Sequence, residues 1–262
     1  MAAPRGEKMR AAAVDALYAA LLEAGGNIPR LRELIREPID EPVLMAVLRR
    51  AVPAPFLELL SASPPWSERP RVLARVVLNP RAPRSLSLRL LPQLSWRELA
   101  DVAAAAWVPA GVRMRAEALV REVVADLRLG DRTTLARLAT ARVIPLLLLD
   151  DDPRVVEAAL QNPRLREEDL VTVLRRDDVP KILLESCAAS SRWSLNYAAR
   201  VALVLQRRTP LGVALGQISS LVPRDLRRVA DTSGLRPLVR AAARAVLERS
   251  DEESPPNSRR LN

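Results

Sequence analysis

The stretch "RVVEAALQNPR" (Arg154–Arg164) decides the fold, because the chain writes it twice. Its earlier echo, "RVLARVVLNPR" (Arg71–Arg81), is identical at five of eleven positions. Val155, Val156, Ala159 and Leu160 fall on one face at helical spacing. Asn162-Pro163 stops that helix and turns the chain, because proline cannot continue it. Upstream, Asp152 and Pro153 supply an N-cap and a first helical residue.

A second alignment generalises the first. With Leu78 set on Leu205, 78–119 lies on 205–246 without a gap and 13 of 42 positions are identical, among them Pro83/Pro210, Leu99/Leu226, Val102/Val229 and Ala103/Ala230. The step from Arg71 to Arg154 and the step from Leu78 to Leu205 are close to two and three times one length. That common length predicts units of about 42 residues over 37–78, 78–121, 122–161, 162–205 and 205–249, the third degraded. Within them Ser95 and Glu98 form a capping box, and Thr209 reads as a cap before Pro210. The 22 prolines punctuate short apolar segments, and no segment alternates at period two. The chain reads as all-α, with roughly fifteen to seventeen short helices.

A helix pair cannot bury its apolar stripe alone, whereas stacked pairs make a continuous core. The expected architecture is an α-solenoid of about five two-helix units. A helical N-terminal cap spans 1–36, 37–249 continues it as one domain, and 250–262 is a disordered, polar tail.

A two-helix unit of this length resembles the HEAT repeat family. The segment Asp151–Asp178 also resembles a leucine-rich repeat variant unit, through Asp152, Pro153, Val155, Ala158, Asn162 and Pro163. The earlier phrase keeps Val72, Asn79 and Pro80 but has "ERP" (Glu68–Pro70) in place of Asp-Pro, and the fifth unit has Gln206-Arg207 in place of Asn-Pro. The resemblance covers 37–249 in outline and implies a scaffold. It names no activity, because such folds carry many functions.

Composition narrows the chemistry. The 262 residues contain no histidine and one cysteine, which removes the commonest general base, an intrachain disulfide and cysteine-rich zinc sites. No apolar run reaches the roughly 18 residues needed to span a bilayer, and the N-terminal segment reads as an amphipathic helix rather than a secretory signal. A cytoplasmic location, no membrane partner, no metal and no cofactor are the expectations. Net charge is +10, and only Lys8 and Lys181 are lysines. The arginine bias reads as GC-rich, bacterial-like coding, while the positive sign suits an acidic partner.

Other chemistry has plainer readings. Cys187 aligns with Ala103 and Ala230, a small-residue packing position. The acids of "LDDDP" (Leu149–Pro153) and "REEDL" (Arg166–Leu170) load helix N-termini. Gly25-Gly26 reads as a helix C-cap, Gly212 and Gly216 as a close helix contact, and Trp193 and Tyr197 as packing residues one turn apart on a helix.

Charge concentrates at the end of the repeats, where 200–249 carries a net +7. Arg236, Arg240 and Arg244 form a stripe opposite Leu235, Leu238, Val239, Ala242 and Val246, and Arg224, Arg227 and Arg228 lie on the preceding helix. These six arginines are the candidate surface for an anionic partner. The leading expectation is a non-enzymatic scaffold that binds a protein partner. The alternative is a nucleic-acid-binding solenoid using the same arginines. A third reading resembles the HEAT-like DNA glycosylases, although Trp66, Trp96, Trp107 and Trp193 match no catalytic set of that family.

Overall fold

The computed structural model describes residues 3–253. Among them all regular structure is helical, with seventeen α-helices, three 3₁₀ turns and no strand. After α1 (Ala3–Ala24) the helices come in threes. The first three are α2 (Ile28–Arg36), α3 (Glu41–Val47) and α4 (Ala54–Ala62). Then come α5 (Pro70–Val77), α6 (Arg84–Leu90) and α7 (Trp96–Ala104), followed by α8 (Ala110–Val123), α9 (Leu129–Leu138) and α10 (Ile144–Leu147). The series continues with α11 (Pro153–Leu160), α12 (Glu167–Leu174) and α13 (Lys181–Ala189), then α14 (Tyr197–Leu205), α15 (Leu211–Ile218) and α16 (Pro223–Asp231), and ends with α17 (Pro237–Glu253).

The opening helices of the triplets start at Ile28, Pro70, Ala110, Pro153 and Tyr197, and α17 starts at Pro237. The interval has the expected length but holds three helical segments, not two. The middle helices α12 and α15 are signalled in the sequence by the starts read at Arg166–Leu170 and at Thr209-Pro210, whereas α3 and α6 have only seven residues, fewer than two turns on which to show a 3.6 period. The boundaries drawn from the sequence fall near the ends of the opening helices. The segment expected as a cap over 1–36 contains α1 and also α2, which belongs to the first triplet.

The chain divides into two compact units, the first ending at Asp126 and the second beginning at Leu127. In the first, α1 packs on α2 and α3, α2 on α4, α5 on α6 and α7, and α6 and α7 on α8. Leu31, Leu44, Phe56, Leu60, Val76 and Val102 are buried there. In the second, α11 packs on α9 and α13, α12 and α16 on α14, and α15 and α16 on α17. Its core includes Leu135, Val156, Leu174, Leu183, Val229 and Ala243. Each helix thus meets neighbours one or two places along the chain.

The repeated phrase has a structural reason that the apolar pattern hides. Asn79, Asn162 and Gln206 are buried polar residues just past the ends of α5, α11 and α14. Each side-chain amide donates to backbone carbonyls at the end of the middle helix of the preceding triplet. Asn79 Nδ2 reaches the carbonyls of Leu48 and Arg50 at 2.9 and 2.7 Å. Asn162 Nδ2 reaches those of Ala136, Arg137 and Ala139 at 2.8, 3.2 and 3.2 Å. Gln206 Nε2 reaches those of Leu174 and Arg176 at 2.7 and 2.8 Å. The amide oxygen of each accepts from the backbone N–H two residues on, at Arg81, Arg164 and Arg208. Helix ends leave carbonyls without intrahelical partners, and these amides satisfy them.

Two tryptophans do the same within a triplet. Trp107, after α7, donates from Nε1 to the Leu78 carbonyl at the end of α5 (2.9 Å), and Trp193, after α13, to that of Leu160 at the end of α11 (2.8 Å). Arg192 adds donations to the carbonyls of Asn162 and Leu165.

Local signals hold in part. The Ser95 N–H donates to Glu98 Oε2 at 2.8 Å at the start of α7, and Asp152 caps α11 by accepting from the Arg154 N–H. Gly25, at φ +50°, ends α1 in the left-handed conformation that glycine adopts without a Cβ penalty. Thr209 is not a cap. It is buried, and its hydroxyl donates to the Leu203 carbonyl at 2.6 Å, one helix back. Nor do Gly212 and Gly216 make a close helix contact. Both lie on the exposed side of α15, where a Cβ would meet nothing within 4 Å, and Ala214 and Ile218 form the buried side. Helix α17 carries Ser250 on to Glu253, and the rest of the expected disordered tail, 254–262, lies outside the described residues.

The amide joint makes a stability prediction. Asn162→Ala removes the donor from three carbonyls and is expected to cost about 2–3 kcal/mol in urea unfolding. Asn162→Asp places a carboxylate against the same carbonyls, so burial and those dipoles raise its folded pKa above the unfolded value of about 3.9. Below that value the protonated acid is a donor again. The variant is therefore expected to match or exceed the Ala variant in acid, and to fall below it as pH rises through the carboxyl's raised range.

Candidate anionic-partner surface

The packing of α16 settles where its arginines point. Leu226, Val229 and Ala230 turn inward against α14 and α17, so Arg224, Arg227 and Arg228 are exposed. On α17, Val239 and Ala243 are buried, with Leu235 just ahead of the helix. Arg236 and Arg244 are exposed and Arg240 is half-buried. Leu238 departs from expectation. Helical spacing puts it with the apolar side, away from the arginine stripe, but it is 62% exposed.

None of the six arginines forms an ion pair with a described carboxylate. Arg244 donates to the Ala230 carbonyl at 3.4 Å, and the buried Nε of Arg240 has no hydrogen-bond partner among the described residues. Asp225, the acid among them, accepts from the Tyr197 hydroxyl at 2.5 Å, and the Val222 N–H donates to that hydroxyl at 3.2 Å. Desolvation first, and the hydrogen bond to Asp225 second, raise the Tyr197 phenol above its ordinary value.

The opening and closing helices of a triplet also frame a cleft, and four triplets carry one. Between α5 and α7 it is about 550 Å³ and takes Arg71, Arg75, Arg97, Glu98 and Asp101. Between α11 and α13 it is about 500 Å³, lined by Glu157, three serines and Arg192. In the last triplet it is about 270 Å³, framed by α14 and α16 with the end of α12, and takes Arg175, Asp177, Arg207 and Arg228. The alignment that sets Leu78 on Leu205 also sets Arg75 on Ala202 and Asp101 on Arg228. The place is repeated and its charge is not.

Arg175 and Arg207 are not among the expected residues. Arg175 caps the end of α12, and Arg207 occupies the degenerate joint where the second triplet has Pro80. That departure from Asn-Pro is the only sign of them in the sequence. In the first triplet the cleft between α2 and α4 is larger, about 730 Å³, but Glu37, Asp40 and Glu41 match Arg32, Arg36 and Arg69 there. Arg69 pairs with Glu41 and lies over the Trp66 ring, 5.0 Å from its centroid.

The remaining candidates are structural in their surroundings. Cys187 is fully buried, and burial pushes its thiol up to about 12. Asp150 pairs with Arg132 at 2.8 Å and accepts from the Asp152 N–H, while Glu167, Glu168 and Asp169 form the first turn of α12. Trp193 lies in the turn before α14 rather than on a helix with Tyr197. It is buried, with Arg192 over its ring. Trp66 is also buried, and the 65% exposed Trp107 has its N–H engaged at Leu78. Among the described residues no group of three or more metal-ligating side chains comes together, and no helix is long and apolar enough to cross a membrane.

No family model, no curated protein and no solved structure matches this chain.

Thiol chemistry offers a check on this placement. With its thiolate suppressed and its side chain enclosed, Cys187 is expected to react with a thiol-specific reagent at pH 8 on the order of a hundredfold slower than in urea-unfolded chain. Equal rates in the two states would show the thiol to be accessible.

Proposed function

We propose that the chain is a non-enzymatic, cytoplasmic scaffold that docks a protein partner on the arginine face of its last helices. The carrying observation is that arginines without described counter-ions share the α16 and α17 segments with two exposed apolar side chains. Leu238 is exposed on the side of α17 away from the stripe, and Val222 is exposed two residues before Arg224. Protein interfaces combine these elements, with an apolar centre inside a polar and arginine-bearing rim. A nucleic-acid backbone rewards the arginines but covers no leucine. Of the aromatic groups nearby, Trp193 is buried, which leaves Tyr197 as a single partly exposed ring rather than a series on which successive bases could stack. The proposed architecture is a HEAT-like solenoid of about five units, and the regular spacing of the opening helices supports it.

The test is affinity capture from the native cell, with and without nuclease. A protein partner is expected to be retained after nuclease and lost when Arg236, Arg240 and Arg244 are changed together to Glu. Leu238→Asp is expected to weaken capture at least tenfold while leaving the helical circular dichroism spectrum unchanged. Recovery of nucleic acid alone, with a steep salt dependence, would support the nucleic-acid alternative instead.

A further inference from the structure

Of the four repeated clefts, the last has the most positive lining. Arg175, Arg207 and Arg228 reach it from three different segments: the end of α12, the joint after α14, and α16. No guanidinium of the three has a hydrogen bond or ion pair with a described residue. The carbonyls of Leu174 and Arg176 beside the cleft accept from Gln206 instead. Against three arginines stands Asp177, which leaves two positive charges.

One of the three lies close against a glycine. The Arg207 guanidinium lies so close to Gly234 that a Cβ there would come within 2.5 Å of Nε and 2.6 Å of Cζ and Nη2. In the alignment of the two copies Gly234 falls on Trp107, whose indole covers the Leu78 carbonyl. The last triplet therefore has a glycine, and an arginine laid over it, where its copy has a tryptophan.

We propose that this cleft binds a phosphomonoester dianion, carried on a phosphorylated side chain of the protein partner. The source of the phosphate rests on the docking reading above, but the anion chemistry does not. Guanidinium forks pair with phosphate oxygens in parallel, and three forks suit a group with three terminal oxygens. A dianion matches the two net charges, whereas a carboxylate or a phosphodiester brings only one. A volume of about 270 Å³ suits a single modified side chain better than a cofactor. Arginine clusters are a recurrent means of reading phosphorylated segments.

Isothermal titration calorimetry on the full chain at low salt tests this with four probes: a short peptide bearing one phosphoserine, the same peptide unmodified, inorganic phosphate, and a dinucleotide. The phosphopeptide is expected to bind at least tenfold more tightly than the other three. Its affinity should rise from pH 5.5 to 7.5 as the phosphate takes its second charge, whose pKa is about 6. Arg175→Gln and Arg207→Gln should each weaken it at least tenfold, and Arg89→Gln, exposed on α6 and part of neither the cleft nor the arginine face, should not. Gly234→Ala, which removes no charge, should weaken it too by displacing Arg207. Circular dichroism establishes that each variant is folded. Equal affinity for inorganic phosphate overturns the assignment to a partner side chain. Equal binding of all probes, an equal loss in Arg89→Gln, or no binding by folded protein overturns the site itself. None of these results touches partner capture through the α17 arginines, so the two readings fail separately.

Discussion

Short helices have too many ends, and this chain depends on how those ends are satisfied. A helix of eight residues has as many carbonyls without intrahelical partners as with them. Buried, each would cost as much as a lost hydrogen bond. Here Asn79, Asn162 and Gln206 carry the missing donors from one triplet back to the one before, across 23 to 32 residues. Trp107 and Trp193 do so within a triplet. The apolar faces alone would allow neighbouring helices to slide along one another. A buried amide with two or three carbonyl partners is directional, and it selects one register.

That constraint explains what was legible in the sequence. Apolar spacing marked the opening and closing helices, since Val155, Val156 and Ala159, or Leu99, Val102 and Ala103, repeat at helical intervals on buried faces. Caps at Ser95 and Asp152 were readable because they act within four residues. The amide joints were visible only as recurring letters. Their partners lie two or three dozen residues away, and no local rule connects Asn162 with Ala136. The seven-residue middle helices escaped for a different reason, being too short to show a period. At the candidate surface, α16 was legible because its arginines and its apolar residues alternate by helical turns. On α17 the same logic misplaced Leu238, because the buried side there is a narrow line through Leu235, Val239 and Ala243. Gly212 and Gly216 misled similarly, since a spacing of four specifies one face of a helix but not whether anything covers it.

Repetition separates the parts that hold the fold from the parts free to vary. The clefts between opening and closing helices recur because the backbone recurs, and their linings are not held by the joints. Arg75 and Asp101 in one copy become Ala202 and Arg228 in another without touching the amide contacts. Residues that differ between copies at equivalent places are therefore where chemistry can be specialised.

The joint at Gln206 shows how such a change can be made without loss of the fold. Glutamine is one methylene longer than asparagine, yet its amide reaches the end of α12 at 2.7 and 2.8 Å, as close as Asn79 reaches the end of α3. Its oxygen still accepts from the N–H two residues on, at Arg208. With the turn held by that amide, the next position no longer has to be proline. It holds Arg207, whose guanidinium lies against Gly234, at the position where the aligned copy has Trp107. Two departures from the repeated phrase, each a defect if taken singly, together place a cation in the cleft and keep the triplets joined.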